Sequence, residues 1–164
     1  MNNWNLLLSV ILLLSASVLV TQSAFAEDVS TSMIASAEDK AKLVSFVESA
    51  LAYVQENGKD MALKEFSNKT GQFVSGELYI YAHDFNGTCL AHPFKPEWIG
   101  TNRLNDTDPN GVMIMKGMIN VAKEGKGFTY FIYSNPAHDN KDEMKLAYVM
   151  KVDDNWFFGS GLYL

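Results

Sequence analysis

Cysteine is almost absent from this chain of 164 residues, since Cys89 is the only one. A single cysteine cannot form an internal disulfide, and its place between Thr88 and Leu90 indicates a small buried apolar residue in a strand. Patterns for metal binding and nucleophilic catalysis are missing too. His83 and His138 have no ligand partners at the usual spacing, and no G-x-S-x-G elbow is present. We therefore expect no enzymatic activity, no cofactor and no metal.

Positive charge is also scarce, because 13 Lys and Arg stand against 19 Asp and Glu, for a formal net charge of −6. Nucleic acids and anionic lipid surfaces are bound mainly through Lys and Arg side chains that neutralise phosphate. The acidic composition disfavours both kinds of partner, and we expect no nucleic acid to bind.

The N-terminal 26 residues contain no Asp, Glu, Lys or Arg. Their apolar run, Leu6–Val20, is shorter than the ~20 residues of a membrane-spanning helix. It is followed by Ala24-Phe25-Ala26, the small-x-small pattern that signal peptidase cleaves. We predict a secretory signal peptide over residues 1–26 and a mature domain over 27–164, located in the periplasm or outside the cell. An uncleaved N-terminal anchor is the alternative, because Met1-Asn2-Asn3 lacks Lys and Arg.

The mature part begins with a helical pattern from Ser36 to Asn57 and a shorter one over Lys59–Ser67. We assign residues 27–70 to these N-terminal helices. Two apolar stripes run along the first helix at helical spacing. The stripes consist of Val44, Val47, Leu51 and Val54, and of Leu43, Phe46, Ala50 and Tyr53. One packing face needs only one stripe, so we expect the second to cover another part of the domain or a second copy in a homodimer.

Residues 71–164 have the pattern of a sheet with one helix. Within Glu77–His83 apolar and aromatic residues alternate, which places Tyr79, Tyr81 and His83 on one face of a strand. Asn86-Gly87 is typical of a tight hairpin turn, and the return strand is Thr88–His92. Three further strands are predicted over Gly127–Ser134, Glu143–Val152 and Trp156–Tyr163. The short turns indicate an α+β, PAS-like antiparallel sheet of about five strands, with the long N-terminal helix packed on one face.

The loop before the third helix contains Asp106-Thr107-Asp108-Pro109-Asn110-Gly111, which begins like a calcium-binding EF-hand loop. The twelfth position of that loop requires Glu, and Gly117 stands there instead, so the calcium interpretation fails. Asp108 and Pro109 suit the N-cap and the first position of a helix. We therefore predict that the third helix starts at this point and continues through Val112–Lys123.

Seven short motifs, in order and spacing, resemble the single Cache domains of the second type. They are Asp84–Pro93, Ile99-Gly100, Asp108–Gly111, Gly125–Phe128, Asn135-Pro136, Lys145–Val149 and Gly159–Tyr163. The resemblance implies a PAS-like extracytoplasmic sensor of the kind found in chemoreceptors, histidine kinases and cyclic-dinucleotide enzymes. Many such domains look like receptors for acetate, propionate, lactate or pyruvate. The family often has Tyr at the position of Phe131 and a further aromatic residue near Tyr133, and these departures leave the exact ligand open.

A carboxylate site needs hydrogen-bond donors, which Tyr, His and Lys side chains supply. The candidate ligand-binding residues are Tyr79, Tyr81, His92, Trp98, Tyr133, Lys145 and Tyr148. Lys145 and Tyr148 differ by three positions in one strand, so at most one of them faces the pocket without a bulge. The alternative for the tyrosines is that they fill half-buried positions of the sheet, as aromatic residues in strands usually do.

Two functional hypotheses follow. The first is an exported sensor module that binds a small carboxylate and relays its state to a separate signalling partner, such as a membrane receptor or kinase. The second is a structural or interaction module without a small-molecule ligand, which acts through dimerisation or docking of its N-terminal helix.

Overall fold

A computed structural model describes residues 35–135 and 138–164. The predicted signal peptide over 1–26 lies outside the described residues. The helices are α1 (Ala37–Asn57), α2 (Lys59–Phe66) and α3 (Ile114–Lys123), with a 3₁₀ turn at Pro96–Trp98. The strands are β1 (Val74–Ser75), β2 (Leu78–Tyr79), β3 (Tyr81–Asp84), β4 (Cys89–Ala91), β5 (Lys126–Asn135), β6 (Lys141–Lys151) and β7 (Trp156–Tyr163). No helix in these ranges is long and apolar enough to span a membrane.

Helix α1 begins at a capping box. The Ser36 hydroxyl accepts from the Asp39 backbone N–H at 3.0 Å, and the Asp39 carboxylate accepts from the Ser36 backbone N–H at 3.3 Å. Each bond satisfies a backbone N–H that the first turn of a helix leaves unpaired. The helix ends at Gly58, whose φ of 78° lies in the positive region that glycine adopts without a steric penalty. These two signals explain why the predicted bounds agree with the structure.

The buried face of α1 draws on both predicted stripes, because its buried residues are Leu43, Val47, Ala50 and Val54. Phe46 and Tyr53 pack instead on Phe73, with ring centroids 6.3 and 5.2 Å apart. Part of the second stripe is therefore covered within the same domain. The homodimer through this helix stays a prediction.

The main sheet has five antiparallel strands in the order β4-β3-β7-β6-β5, which confirms the α+β, PAS-like prediction. Helix α1 contacts β6 and β7, and α3 contacts β5 and β6. The predicted strand over 77–83 is divided into two. Its first part, β2, pairs with β1 in a separate small ribbon, and β3 begins only at Tyr81. Tyr79 and Tyr81 still belong to one buried cluster with α3, so the predicted common face is retained.

Asp108 is not the N-cap of the third helix, which begins at Ile114 after Met113 without a side-chain cap. Its carboxylate accepts backbone N–H bonds from Asn110 and Val112 at 2.9 Å and from Ile132 in β5 at 3.1 Å. Burial raises the pKa of Asp108, but the three N–H donors outweigh it, and the net direction is down. The aspartate therefore closes a loop and ties it to the sheet edge. A local cap signal cannot reveal the bond to Ile132.

We expect Asp108→Ala to lower the melting temperature by several degrees, because three backbone donors lose a charged acceptor. Asp106→Ala is the matched control, since it removes a nearby carboxylate that bonds no backbone group of β5. Differential scanning fluorimetry of both variants measures the effect. Equal melting temperatures for Asp108→Ala and the wild type would contradict the role given to this side chain.

Candidate functional site

The face of the sheet opposite α1 carries two hollows beneath α3 and the 93–112 loop. The outer one is an open cleft of about 1060 Å³, and the inner one has a volume of about 60 Å³. They share Tyr79, His92, Trp98, Arg103 and Tyr133 in their walls. A water molecule occupies about 10–15 Å³ on this measure, so the inner hollow has room for roughly four to six water-sized groups.

Lys145 of β6 is the most unusual residue of the inner hollow, because its side chain is only 2% exposed. Its Nζ donates to the Tyr79 hydroxyl at 3.2 Å. It also lies 4.4–5.5 Å from the ring centroids of Tyr79, Tyr133 and Tyr163. Among the described residues no carboxylate lies within ion-pair distance of this ammonium. The result is a buried cation surrounded by aromatic rings, and the described residues place no carboxylate in direct contact with it.

The environment of Lys145 lowers the pKa of its ammonium group. Burial lowers the pKa of Lys145 to about 8, and the carboxylate of Glu77 offsets only part of that effect. A buried charge without a partner is unfavourable, yet at neutral pH this lysine keeps most of its proton. An anion placed beside Nζ would relieve the unfavourable burial.

His92 is held in a single neutral tautomer. Its Nδ1 accepts backbone N–H bonds from Phe94 and Lys95, both at 3.1 Å. Burial, aided by nearby positive charge, lowers the pKa of His92 to about 3, so the ring is neutral at physiological pH. Because Nδ1 is the acceptor, the proton of the neutral ring is on Nε2. His92 therefore contributes one N–H donor to the wall between the two hollows.

Trp98 and Arg103 come from the loop after β4. The Arg103 guanidinium lies 4.1 Å from the Trp98 ring centroid, and it forms an ion pair with Asp106. The Trp98 ring in turn contacts His92, with centroids 5.4 Å apart. Arg103 was not among the predicted site residues. It is the only arginine of the chain, which is the one sequence signal that could have singled it out.

Four buried side-chain polar atoms have no hydrogen-bond partner in the described part of the chain. Three of them, Tyr81 Oη, His83 Nδ1 and Arg103 Nε, belong to residues that line the inner hollow. Burial lowers the pKa of His83 to about 4, so this imidazole is neutral as well. Buried polar groups in native proteins are usually paired, and unpaired ones around a hollow are typical of a ligand site.

Six of the seven predicted site residues line the inner hollow: Tyr79, Tyr81, His92, Trp98, Tyr133 and Lys145. The structure corrects the expectation for Tyr148. Successive residues of a strand point to opposite faces. Because Tyr148 is three positions after Lys145, its side chain lies on the other face of β6. Its ring packs on Phe128 with centroids 4.8 Å apart, and it lines neither hollow.

Helix α3 closes the hollow with apolar side chains. Ile114, Met115 and Met118 line it together with Phe131 of β5. The helical spacing of the methionines predicts burial, and they are buried. The spacing cannot show that the same side chains also line a hollow. The hollow therefore has a mostly polar wall from the sheet and an apolar wall from the helix. The loop adds Trp98, Arg103 and Asp106.

A five-stranded antiparallel sheet with a long N-terminal helix on one face and a lined hollow on the other defines a PAS-like sensor domain. The chain belongs to the Single Cache domain 2 family, whose model matches residues 17–164. Cache domains are extracytoplasmic sensor domains of chemoreceptors and kinases. This membership supports a ligand-sensing role.

Solved structures and a sensor kinase are similar to this chain. A methyl-accepting chemotaxis protein from Vibrio parahaemolyticus has 26% identity and a TM-score of 0.66, over 76% of this chain and 87% of that one. A Cache chemosensory domain described for carboxylic acid recognition has 24% identity and a TM-score of 0.66, over 79% and 99%. This second likeness shows the fold alone.

The sensor histidine kinase MctS of Rhizobium johnstonii is 31% identical over 87 residues, which are 52% of this chain and 19% of the kinase. The chain thus spans about a fifth of the length of that relative. The shared part makes this chain homologous to a segment of a sensor kinase, and it does not carry over the activity of the whole kinase.

Proposed function

We propose that this chain is a sensor module that binds a small monocarboxylate in the inner hollow and relays its occupancy to a separate membrane receptor or kinase. The observation that carries the proposal is Lys145, a buried ammonium with no carboxylate in reach among the described residues. A bound carboxylate would act as its counter-ion.

Two further donors favour a carboxylate over other anions. Because the Tyr79 hydroxyl oxygen accepts from Lys145, its own proton is available to a ligand. The Nε2–H of His92 is available in the same wall, since its Nδ1 is already occupied. Three donors of this kind match the lone pairs of one carboxylate group. The apolar wall of Met115 and Met118 suits a short carbon chain.

The size of the hollow limits both the ligand and its affinity. A ligand of four to six heavy atoms corresponds to acids such as acetate, propionate, lactate and pyruvate. At a ceiling of ~1.5 kcal/mol per heavy atom, such a ligand can gain about −6 to −9 kcal/mol. This range corresponds to dissociation constants from about tens of micromolar to just below micromolar. Since the chain is acidic, local donors rather than long-range attraction must select the anion.

Isothermal titration of the mature protein with these four acids tests the proposal. Lactamide and propionamide are matched controls, because they keep the shape of the ligand and lack its charge. We expect at least one acid to bind and to stabilise the protein by about 2.7 kcal/mol at 100 times its dissociation constant. Amides that bind as well as the acids, or no binding of any acid at millimolar concentration, would contradict the proposal.

The alternative is an interaction module that works through α1 without a ligand. Val44 and Leu51 of this helix are only partly buried, which leaves apolar surface for a second copy. Sedimentation equilibrium with and without the acids separates the two hypotheses. A tight dimer whose association constant is the same with and without each acid favours the interaction module.

A further inference from the structure

Strand β7 passes beneath the hollow with two glycines on its cavity face, Gly159 and Gly161. A Cβ on Gly161 would lie 2.7 Å from Lys145 Cε, and one on Gly159 would lie 3.1 Å from Tyr81 Oη. Lys145 therefore reaches across β7 from one neighbouring strand and Tyr81 from the other, since β7 pairs with both β6 and β3. Because glycine has no side chain at these two positions, both polar groups can lie over the same strand.

This arrangement sets the separation of the two polar groups. Residues two apart in a strand are about 6.5 Å from each other, so the Tyr81 hydroxyl and the end of Lys145 lie over points of β7 that are separated by about that distance. Two hydrogen bonds of about 2.8 Å from these groups can meet neighbouring oxygens of one small ligand. A carboxylate oxygen and an oxygen on the adjacent carbon have that relation.

The Tyr81 hydroxyl is also one of the polar atoms around the hollow that lack a hydrogen-bond partner among the described residues. Tyr81 is 6% exposed, and its Oη bonds to nothing in the described residues. Helix α3 contributes Met115 and Met118 to the opposite wall, and a thioether sulfur is only a weak acceptor. The carboxylate of Asp106 also lines the hollow, but it is paired with Arg103. His83 lies beyond Tyr81, at the end of β3 away from Tyr79 and Lys145. In the proposed function Lys145, Tyr79 and His92 bind the carboxylate, so a saturated acid has no further oxygen for the Tyr81 hydroxyl.

We propose that Tyr81 is a specificity-determining residue which donates a hydrogen bond to an oxygen on the second carbon of the ligand. The hollow then selects 2-hydroxy or 2-oxo monocarboxylates over saturated acids of the same length. This inference rests on the proposed function, because it needs the carboxylate on Lys145. Gly159 and Gly161 are positioning residues that set the spacing between the two polar contacts.

Calorimetric titration of lactate and propionate, which differ only by the 2-hydroxyl, into wild type and Tyr81→Phe tests the inference. In the wild type we expect lactate to bind at least about ten-fold more tightly than propionate, since a site built around a hydroxyl disfavours the analogue that lacks it. Tyr81→Phe should lose about ten-fold in lactate affinity and keep its propionate affinity. Tyr148→Phe, on the other face of the sheet, should bind both acids as the wild type does.

A second readout separates this role from a purely structural one. Tyr81→Phe removes a buried hydroxyl that has no partner, so the ligand-free variant should melt no lower than the wild type. Equal affinities of the wild type for lactate and propionate would overturn the inference and leave the proposed function standing. A lactate preference that survives in Tyr81→Phe would overturn it as well. If neither acid binds the wild type, the proposed function is wrong, and this inference is wrong as well because it depends on that function.

Discussion

Replacement of Lys145 by methionine is expected to abolish carboxylate binding and to leave the ligand-free protein at least as stable as the wild type. Binding is lost because the ligand loses its counter-ion and a charge-assisted hydrogen bond, which contributes ~1.5–3 kcal/mol or more when buried. Together with the loss of charge, the affinity should fall by at least about 100-fold. Stability is kept because the substitution removes a buried charge that has no carboxylate at ion-pair distance among the described residues, and because methionine nearly retains the volume of the side chain.

Titration calorimetry and thermal unfolding of Lys145→Met, with Lys126→Met as the matched control, measure both effects. Lys126 is an exposed lysine paired with Glu48 on the other face of the domain, so its removal should not change the affinity for any acid. A Lys145→Met variant that binds an acid normally would contradict the role of this ammonium. A large loss of stability would instead show that Lys145 has a structural role.

Carboxylate affinity is expected to fall by about ten-fold between pH 7 and pH 9. The cause is Lys145, whose pKa burial lowers to about 8, so that the free protein loses the ammonium within this interval. The acid itself stays ionised throughout, and the pKa values of His83 and His92 are lowered to about 4 and about 3. These imidazoles therefore do not titrate in the interval. Calorimetric titrations at several pH values measure the decline.

The stability of the ligand-free protein should change in the opposite direction. In the unfolded chain Lys145 keeps its proton up to its ordinary pKa of 10.5. The unfolded state thus binds more protons than the folded state above pH 8, and the free energy of unfolding rises with pH. Relative to Lys145→Met, the gain should be about 1 kcal/mol between pH 7 and pH 9. Burial raises the pKa of Cys89 to about 11, so this thiol lowers stability only above pH 9.

Chemical denaturation of the wild type and Lys145→Met at pH 7, 8 and 9 provides the comparison. Subtracting the variant removes every group that titrates in both proteins. Parallel pH profiles for the two proteins would mean that Lys145 titrates like an exposed lysine, and the account of a buried, unpaired ammonium would be wrong. A carboxylate affinity that stays constant up to pH 9 would lead to the same conclusion.

The elements that the sequence predicts well are those with local causes. Helix α1 agrees at both ends because a capping box at Ser36 and a glycine at Gly58 are short-range signals. The hairpin of β3 and β4 follows in the same way from Asn86-Gly87, where Gly87 has a φ of 88°. Strand alternation correctly placed Tyr79 and Tyr81 on the face that carries the hollow.

What the sequence misses depends on contacts between distant segments. Asp108 looks like a helix cap, yet its bond to Ile132 spans 24 positions and draws the residue into a loop. Alternation in the sequence puts Lys145 and Tyr148 on opposite faces of β6, but only the packing of the sheet shows that the Lys145 face carries the hollow. Gly159 and Gly161 read as ordinary glycines until the pairing of β7 with both neighbours puts Tyr81 and Lys145 over them.

A crystal structure of the protein with lactate tests the central claim most directly, because it locates the anion relative to Lys145. We expect a carboxylate oxygen within hydrogen-bonding distance of the Lys145 Nζ in the inner hollow, beneath Met115 and Met118. Lactate seated in the outer cleft out of reach of Nζ, or an inner hollow closed by repacked side chains, would contradict it.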